Sequence, residues 1–320
     1  MCQSCLAIAT KNRATRHQRR ISALARIALV VLGLLLAAAF SRQAQADDDE
    51  KDKPLPPEDT VLTTGDGVTI TATFYPSKLK KALPVILLHA AKGNRGDFEG
   101  LALQLQSAGH AIIVPDLRGH GESTRGTDRP GELRPADYLA IVEPGGDLET
   151  VKQFLMTKNN AGEINIEKLC VVGVELGAVV AINWAARDWS WPALATGKQG
   201  EDVKALVLIS PEWTYKGLRI NEAVAHPNVR QDLAVLLVVG KRNAKLLKEA
   251  RRLHSALEKY HAVAAGDAQT LALHTPQTGL QATRLLNEKS MHVGDTILKF
   301  IDARVAKQPI PWSERKSPLQ

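Results

Sequence analysis

The run LCVVGVELGAVVAINWAAR, residues 169–187, decides the fold. Its first four residues, 169–172, are apolar, as in a short strand that is buried on both faces of a parallel sheet. The frame Gly173-Val174-Glu175-Leu176-Gly177 follows, and residues 178–187 then show helical spacing of apolar side chains. The two glycines permit a turn that is too tight for larger side chains. This stretch therefore predicts a strand, a sharp turn and a helix.

The same alternation extends in both directions from this run. A turn signal at Gly65-Asp66-Gly67 precedes alternating residues 68–75, which predicts that a β-hairpin opens the domain. Further apolar runs predict strands at 85–88, 111–114, 205–209, 234–239 and, more weakly, 270–274. Helical patterns lie between or after them, at 98–108, 148–156, 244–260 and 294–305. Strands that alternate with helices predict a three-layer α/β domain with a mostly parallel sheet, whose ligand site lies at the carboxyl ends of the strands.

The first 46 residues have the pattern of an export signal. Residues 1–26 are basic, residues 27–40 form an apolar run, and Ala44-Gln45-Ala46 supplies a small-x-small cleavage motif. Fourteen apolar residues are short for a stable membrane span, which needs about 20. We therefore expect an exported protein, periplasmic or extracellular, that touches the membrane only if this signal or N-terminal anchor stays uncleaved. An acidic and proline-rich linker, 47–59, follows it, then the α/β domain at 60–306 and a C-terminal tail at 307–320.

Charge and cysteine content exclude several functions. The chain has 41 basic and 34 acidic residues, and seven of the basic ones lie in residues 1–46, so the remaining 274 residues carry 34 of each sign. A body without net charge argues against nucleic acid as a partner. Beyond the signal, Cys170 is the only cysteine, so no internal disulfide can form there. The chain also has no zinc or phosphate-loop motif, and we expect neither a metal nor another cofactor.

Three segments together resemble the α/β-hydrolase family. Residues 173–177 have the frame of its nucleophile elbow, G-x-S-x-G, between a strand and a helix. The segment DLRGHGES, residues 116–123, is similar to a loop that follows an earlier strand in the family, and LLHAAKG, residues 87–93, is similar to its oxyanion loop. The resemblance covers about residues 61–305. It implies the α/β-hydrolase fold, and the 22 residues 211–232 are too few for the large cap domain of many members.

The same resemblance implies where a catalytic triad would lie, and each position is substituted. Glu175 occupies the elbow position of the nucleophilic serine, Asn243 the position of the acid, and Gln281 the position of the histidine. The family's oxyanion hole would correspond to the amides of Ala90 and Leu176. An amide side chain does not titrate near neutral pH, so Gln281 cannot accept a proton as histidine does.

Two functions therefore remain open. The first is a pseudohydrolase, which binds an acyl-type small molecule or another ligand in an open cleft without catalysis. The second is an active hydrolase of ester or related acyl bonds, with Glu175 as nucleophile or base and a relocated histidine. His292 follows the last predicted strand and is the rescue candidate for that histidine, and Glu212 is a candidate for a relocated acid.

Overall fold

An eight-stranded sheet forms the centre of the computed structural model, which describes residues 53–127, 130–192, 194, 197–261 and 270–315. The strand order is β1-β2-β4-β3-β5-β6-β9-β10, and all neighbours are parallel except the pairs β1–β2 and β2–β4. The strands of this sheet are β1 (Glu58–Thr63), β2 (Thr69–Tyr75), β3 (Pro84–Leu88), β4 (Ala111–Pro115), β5 (Leu169–Val174), β6 (Val203–Ile209), β9 (Ala234–Val238) and β10 (Leu271–His274).

Helices cover both faces of this sheet. They are α1 (Glu99–Ser107), α2 (Pro135–Ala140), α3 (Asp147–Asn160), α4 (Leu176–Asp188), α5 (Asn221–Ala225), α6 (Pro227–Gln231), α7 (Ala244–Glu258), α8 (Ala282–Asn287) and α9 (Val293–Ile301), which continues into a π-helical turn, Asp302–Ala306. Alternate residues of each strand enter two apolar clusters, one against α3, α4 and α7 and the other against α1 and α9. The predicted three-layer fold with a mostly parallel sheet is confirmed.

The ends of the domain differ from the sequence-based boundaries. Strand β1 begins at Glu58 and pairs with β2, so the last two residues of the predicted linker belong to the sheet. At the other end, residues 307–315 of the predicted tail return across the domain. Trp312 donates its indole N–H to the carbonyl of Asn159 at 3.1 Å, and Arg315 is buried against Glu167 and Asp202. These contacts form through the tertiary fold, which no local pattern in residues 307–320 reveals.

Residues 211–232 form a small structure in the place where many relatives carry a cap. A two-stranded hairpin, β7 (Thr214–Tyr215) and β8 (Leu218–Arg219), is followed by α5 and α6. Leu218 and Val229 are buried in the same apolar cluster as α4. The fold therefore has no large cap domain, but a short hairpin packs beside the helix that follows the elbow. Within the described residues, none of the helices is long and apolar enough to cross a membrane.

Candidate functional site

The elbow turn places Glu175 between β5 and α4. Its backbone has φ 53° and ψ −106°, and its N–H donates to the carbonyl of Ile209 at 2.9 Å. A Cβ on Gly177 would overlap the carbonyl oxygen of Leu88, and one on Gly173 would overlap Gly177 itself. Both glycines are therefore required by close packing. A non-glycine residue in this conformation stores strain of about 1–3 kcal/mol, which the surrounding structure must compensate.

Opposing influences act on the Glu175 carboxyl group. Burial, and then the nearby Glu212 carboxylate, raises the pKa of Glu175. A hydrogen bond from the backbone N–H of Ala91 and the charge of Lys92 lower this pKa, but the net direction is upward. The side chain is half-buried. Among the groups that shift its pKa, within the described chain, there is no histidine.

Gln281 lies at the N-terminus of α8, and its side-chain amide forms three hydrogen bonds. Its Oε1 accepts hydrogen bonds from the hydroxyl of Ser210 at 2.9 Å and from the N–H of Gly240 at 3.3 Å. Its Nε2 donates to the carbonyl of Gly240 at 2.9 Å. Ser210 is 1% exposed, and its hydroxyl also accepts from the N–H of Ala282 at 2.8 Å. The strand ends of β6 and β9 are thus linked through one neutral amide.

The side chain of Asn243 does not join this network, although its backbone N–H donates to the carbonyl of Gly240 at 3.3 Å. Its Oδ1 accepts from the N–H of Leu246 at 3.1 Å, which makes Asn243 the N-cap of α7. The partner of Gln281 is instead Ser210, which sequence reasoning missed. Ser210 could have been predicted from its position, because it directly follows β6 and lies in the same loop as the candidate acid Glu212.

His292 lies in a different environment from the elbow. Its side chain is 74% exposed, and its Nδ1 is 3.0 Å from Asp295. It borders a cavity of about 390 Å³ between α1 and residues 286–295, whose lining does not include Glu175.

Two other histidines, His89 and His120, lie in the loops near the elbow, and their ring nitrogens already contact backbone groups. His89 is buried with Nε2 accepting from the N–H of Leu117 at 3.0 Å, and burial lowers the pKa of His89 to about 4. Both ring nitrogens of His120 face backbone carbonyls at 2.9 Å.

Two tyrosines lie near the elbow. The rings of Tyr138 on α2 and Tyr215 on β7 meet edge to face with centroids 5.4 Å apart. Burial, then the charge and hydrogen bond of Tyr138 and the charges of Glu175 and Glu212, raise the pKa of Tyr215 to about 12. This hydroxyl therefore stays neutral at physiological pH. The tyrosines are distant in sequence, and only the hairpin that follows β6 brings them together.

A protein-family comparison agrees with this architecture. The model of the α/β-hydrolase fold family matches residues 84–250, which is more than half of the chain. This chain belongs to the α/β-hydrolase family. Among solved structures, the Pyrococcus furiosus esterase Pf2001 has a TM-score of 0.57 at 16% identity, over 78% of this chain and 93% of that one. A carboxyl esterase from Bacillus coagulans has a TM-score of 0.56 at 10% identity, over 78% and 99%. At such identities the likeness concerns the fold alone.

Curated relatives match a shorter part of the chain. An AB hydrolase superfamily protein from Bacillus subtilis, YisY, is 28% identical over 138 residues, which is 43% of this chain and 41% of that protein. Lipase 1 from Psychrobacter immobilis is 28% identical over 126 residues, which is 39% of this chain and 31% of the lipase. The matched segments thus span less than half the length of each of these relatives.

The predicted oxyanion loop, residues 87–93, contributes a backbone amide near Glu175. The resemblance assigns the oxyanion hole to the amides of Ala90 and Leu176, which stays a prediction, and the amide that acts on the pKa of the Glu175 carboxyl group is that of Ala91. Ala90 is used inside the loop, where its carbonyl accepts from the N–H of Gly93 at 2.9 Å and contacts His89 Nδ1 at 2.7 Å. Leu176 is the first residue of α4, where N–H groups lack intrahelical acceptors.

Metal ligands are not gathered at the site. Among the residues that the structure describes, no group of three or more His, Cys, Asp or Glu side chains could hold a metal ion. The Glu175 carboxyl group and the Glu212 charge that acts on it lie at the elbow, and the neutral amide of Gln281 links the ends of β6 and β9.

The raised pKa of Glu175 predicts a pH-dependent gain in stability for Glu175→Gln. Because the folded pKa lies above the ordinary 4.5, the folded state binds this proton more tightly, and stability falls as pH rises through that range. Glutamine keeps an acceptor for Ala91 and carries no charge. We expect the variant to gain less than about 1 kcal/mol at pH 7, given solvent screening, and nothing at pH 4.

Urea unfolding of wild type and variant at both pH values measures this effect. Glu132→Gln, an exposed glutamate elsewhere, serves as control for removal of one charge. An equal change at pH 4 and pH 7 would show that the Glu175 charge is not responsible.

Proposed function

We propose that this chain is an exported pseudohydrolase, which binds an acyl-type ligand in the family's cleft and does not hydrolyse it. The observation that carries the proposal is the Gln281 amide, which Ser210 and Gly240 hold and which the family resemblance assigns to the position of the histidine. Export rests on the sequence of residues 1–46, which lie outside the described residues.

Acyl transfer at an elbow needs a group that accepts a proton. A serine nucleophile requires a base for its hydroxyl proton, and a carboxylate nucleophile requires a base for the water that later hydrolyses its ester. Gln281 can serve in neither step, since an amide nitrogen has no lone pair available for protonation near neutral pH. Both of its polar atoms are, in addition, already engaged with Ser210 and Gly240.

The oxyanion loop supports the same conclusion. In an acyl transfer, backbone N–H groups stabilise the negative oxygen of the tetrahedral intermediate. Here the N–H of Ala91 already binds the carboxyl group of Glu175. When Glu175 is ionised, a developing oxyanion would compete with this carboxylate and be repelled by it. The arrangement suits a neutral carbonyl or hydroxyl ligand better than a tetrahedral anion.

The alternative function, an active hydrolase with Glu175 and His292, has less support. The imidazole of His292 is exposed and pairs with Asp295. It borders a cavity that Glu175 does not line. Glu212, the candidate for a relocated acid, is near enough to raise the pKa of Glu175, but no imidazole among the described residues completes that pair.

Ester turnover tests the proposal directly. With p-nitrophenyl butyrate as substrate, we expect purified wild type to match the uncatalysed rate, and Glu175→Ala to give the same rate as wild type. In parallel, the non-hydrolysable analogue N-butylbutyramide should raise the melting temperature of wild type in a concentration-dependent way.

Ester hydrolysis that depends on Glu175 would overturn the proposal. Turnover by wild type that is lost in Glu175→Ala, and retained in His254→Asn as a control for an unrelated histidine, would establish an active hydrolase. Loss of that turnover in His292→Asn as well would identify the relocated base.

A further inference from the structure

Residues 241–259, which comprise α7 and the residues that flank it, carry a concentrated positive charge. Between residues 241 and 259 the chain has seven basic and two acidic residues, namely Lys241, Arg242, Lys245, Lys248, Arg251, Arg252 and Lys259 against Glu249 and Glu258. All seven basic residues are exposed. Because residues 47–320 have no net formal charge, the remainder of that body is correspondingly negative. Net neutrality therefore conceals a local separation of charge.

Helical geometry aligns part of this charge into a single row, which we call the basic stripe: Lys245, Lys248, Arg252 and Lys259. These residues are separated by three, four and seven positions, so they share one face of the helix. The face is opposite to the buried residues Ala250, Leu253 and Leu257. Fourteen steps of about 1.5 Å make the stripe about 21 Å long. Of the two acidic residues, Glu249 borders the stripe beside Lys245, four positions earlier, and Glu258 lies on another side of the helix.

Contacts within the protein leave most of the stripe's charge uncompensated. In the described part of the chain, its sole ion pair at 4.0 Å or less joins Lys245 to Glu212 at 3.8 Å, and that lysine side chain is 80% exposed. The Arg252 guanidinium lies 3.9 Å from the ring centroid of Trp213, and Lys259 lies 4.8 Å from that of Tyr260. These aromatic contacts orient the cations without neutralising them.

The stripe begins beside the candidate functional site. Asn243 caps α7, and Gly240 at the end of β9 binds the Gln281 amide. Lys245 reaches Glu212, whose charge acts on Glu175. A partner that lies along the stripe would therefore be adjacent to the candidate functional site.

We propose that α7 docks this protein on an anionic lipid surface through the basic stripe. A row of cations on a convex helix presents its charges to a plane, and each basic residue near such a surface strengthens binding roughly fivefold. Single-stranded nucleic acids instead require a positively charged groove with free aromatic faces. Trp213 and Tyr260 are the rings beside the stripe, and Arg252, Arg230 and Lys259 already cover them. The inference does not depend on the proposed function.

Vesicle co-sedimentation of the full chain tests the proposal. The vesicles contain phosphatidylglycerol and phosphatidylcholine at 30:70, in 50 mM and 300 mM salt. We expect the triple variant K245E/K248E/R252E to lower the partition coefficient at least about 100-fold in low salt, and the wild-type coefficient to fall steeply in high salt. The basic leader is present in every variant, so the difference between variants isolates α7.

Matched variants separate docking from other effects. K80E/K289E/K307E reverses the same number of charges at exposed positions elsewhere, and we expect its partition coefficient to stay within threefold of wild type. The double variant K245E/K248E leaves the contact between Arg252 and Trp213 intact, so it tests the stripe without removing this packing. Circular dichroism shows whether each variant is folded. Equal losses in the stripe and control variants would overturn the proposal. So would tighter binding of a 20-mer of single-stranded DNA than of the vesicles.

Discussion

Replacing Lys152 by Met is expected to lower the free energy of unfolding by about 3–5 kcal/mol, because it leaves buried carboxylates without their cation. The Lys152 ammonium group is fully buried, 2.5 Å from Asp188 and 3.0 Å from Asp202. Although burial lowers its pKa, these carboxylates raise the pKa of Lys152 above its ordinary value. Asp202 keeps its pair with Arg315, so Asp188 loses most. Chemical denaturation at pH 7 measures the change.

Two further variants show whether the loss comes from the buried charges. Arg187→Met removes the ion pair between Arg187 and Glu143, at 2.6 Å, in which the arginine side chain is 44% exposed. We expect this change to lower the free energy of unfolding by at most about 1 kcal/mol. The double variant Lys152→Met/Asp188→Asn should lose less than the sum of its single changes, since fewer charges remain unpaired. A cost for Lys152→Met no larger than that for Arg187→Met would contradict this account.

Restoring a serine triad is expected to create ester hydrolysis only when a base accompanies the nucleophile. Glu175→Ser alone should stay at the uncatalysed rate, since Gln281 cannot accept the hydroxyl proton. Adding Gln281→His should supply a general base, for which an increase of about 10²–10⁴-fold is typical. Turnover of p-nitrophenyl butyrate measures the gain. A fluorophosphonate probe should label the double variant Glu175→Ser/Gln281→His and leave wild type unlabelled, because the probe reacts with an activated serine.

The acid position distinguishes two versions of the restored triad. Because Ser210 contacts residue 281 and Asn243 instead caps α7, we expect Ser210→Asp to enhance the restored activity more than Asn243→Asp does. An aspartate also tolerates the positive φ of 50° at position 210. Equal activity of Glu175→Ser with and without Gln281→His would show that another base serves the elbow. Greater benefit from Asn243→Asp would show that the β9 loop rearranges.

The fold was largely predictable because its signals are local. Buried parallel strands are continuous apolar runs, and β5 with its elbow lies where the frame 173–177 predicts it. The identity of the elbow residue, Glu175, follows from the same frame. The domain boundaries were harder to predict from the sequence, because the pairing of Glu58 in β1 and the burial of Arg315 depend on partners that are distant in the chain.

The sequence by itself determined the order of strands and helices, the α/β class and the presence of Glu175 in the turn between β5 and α4. Only the tertiary structure decided which side chains meet around that turn. It brings Ser210 rather than the side chain of Asn243 to Gln281, and it places the amide of Ala91 where it acts on the pKa of Glu175. The physical reason is that hydrogen-bond partners at the carboxyl edge of a sheet come from different loops. Loop geometry, which periodicity does not encode, sets the distances between them.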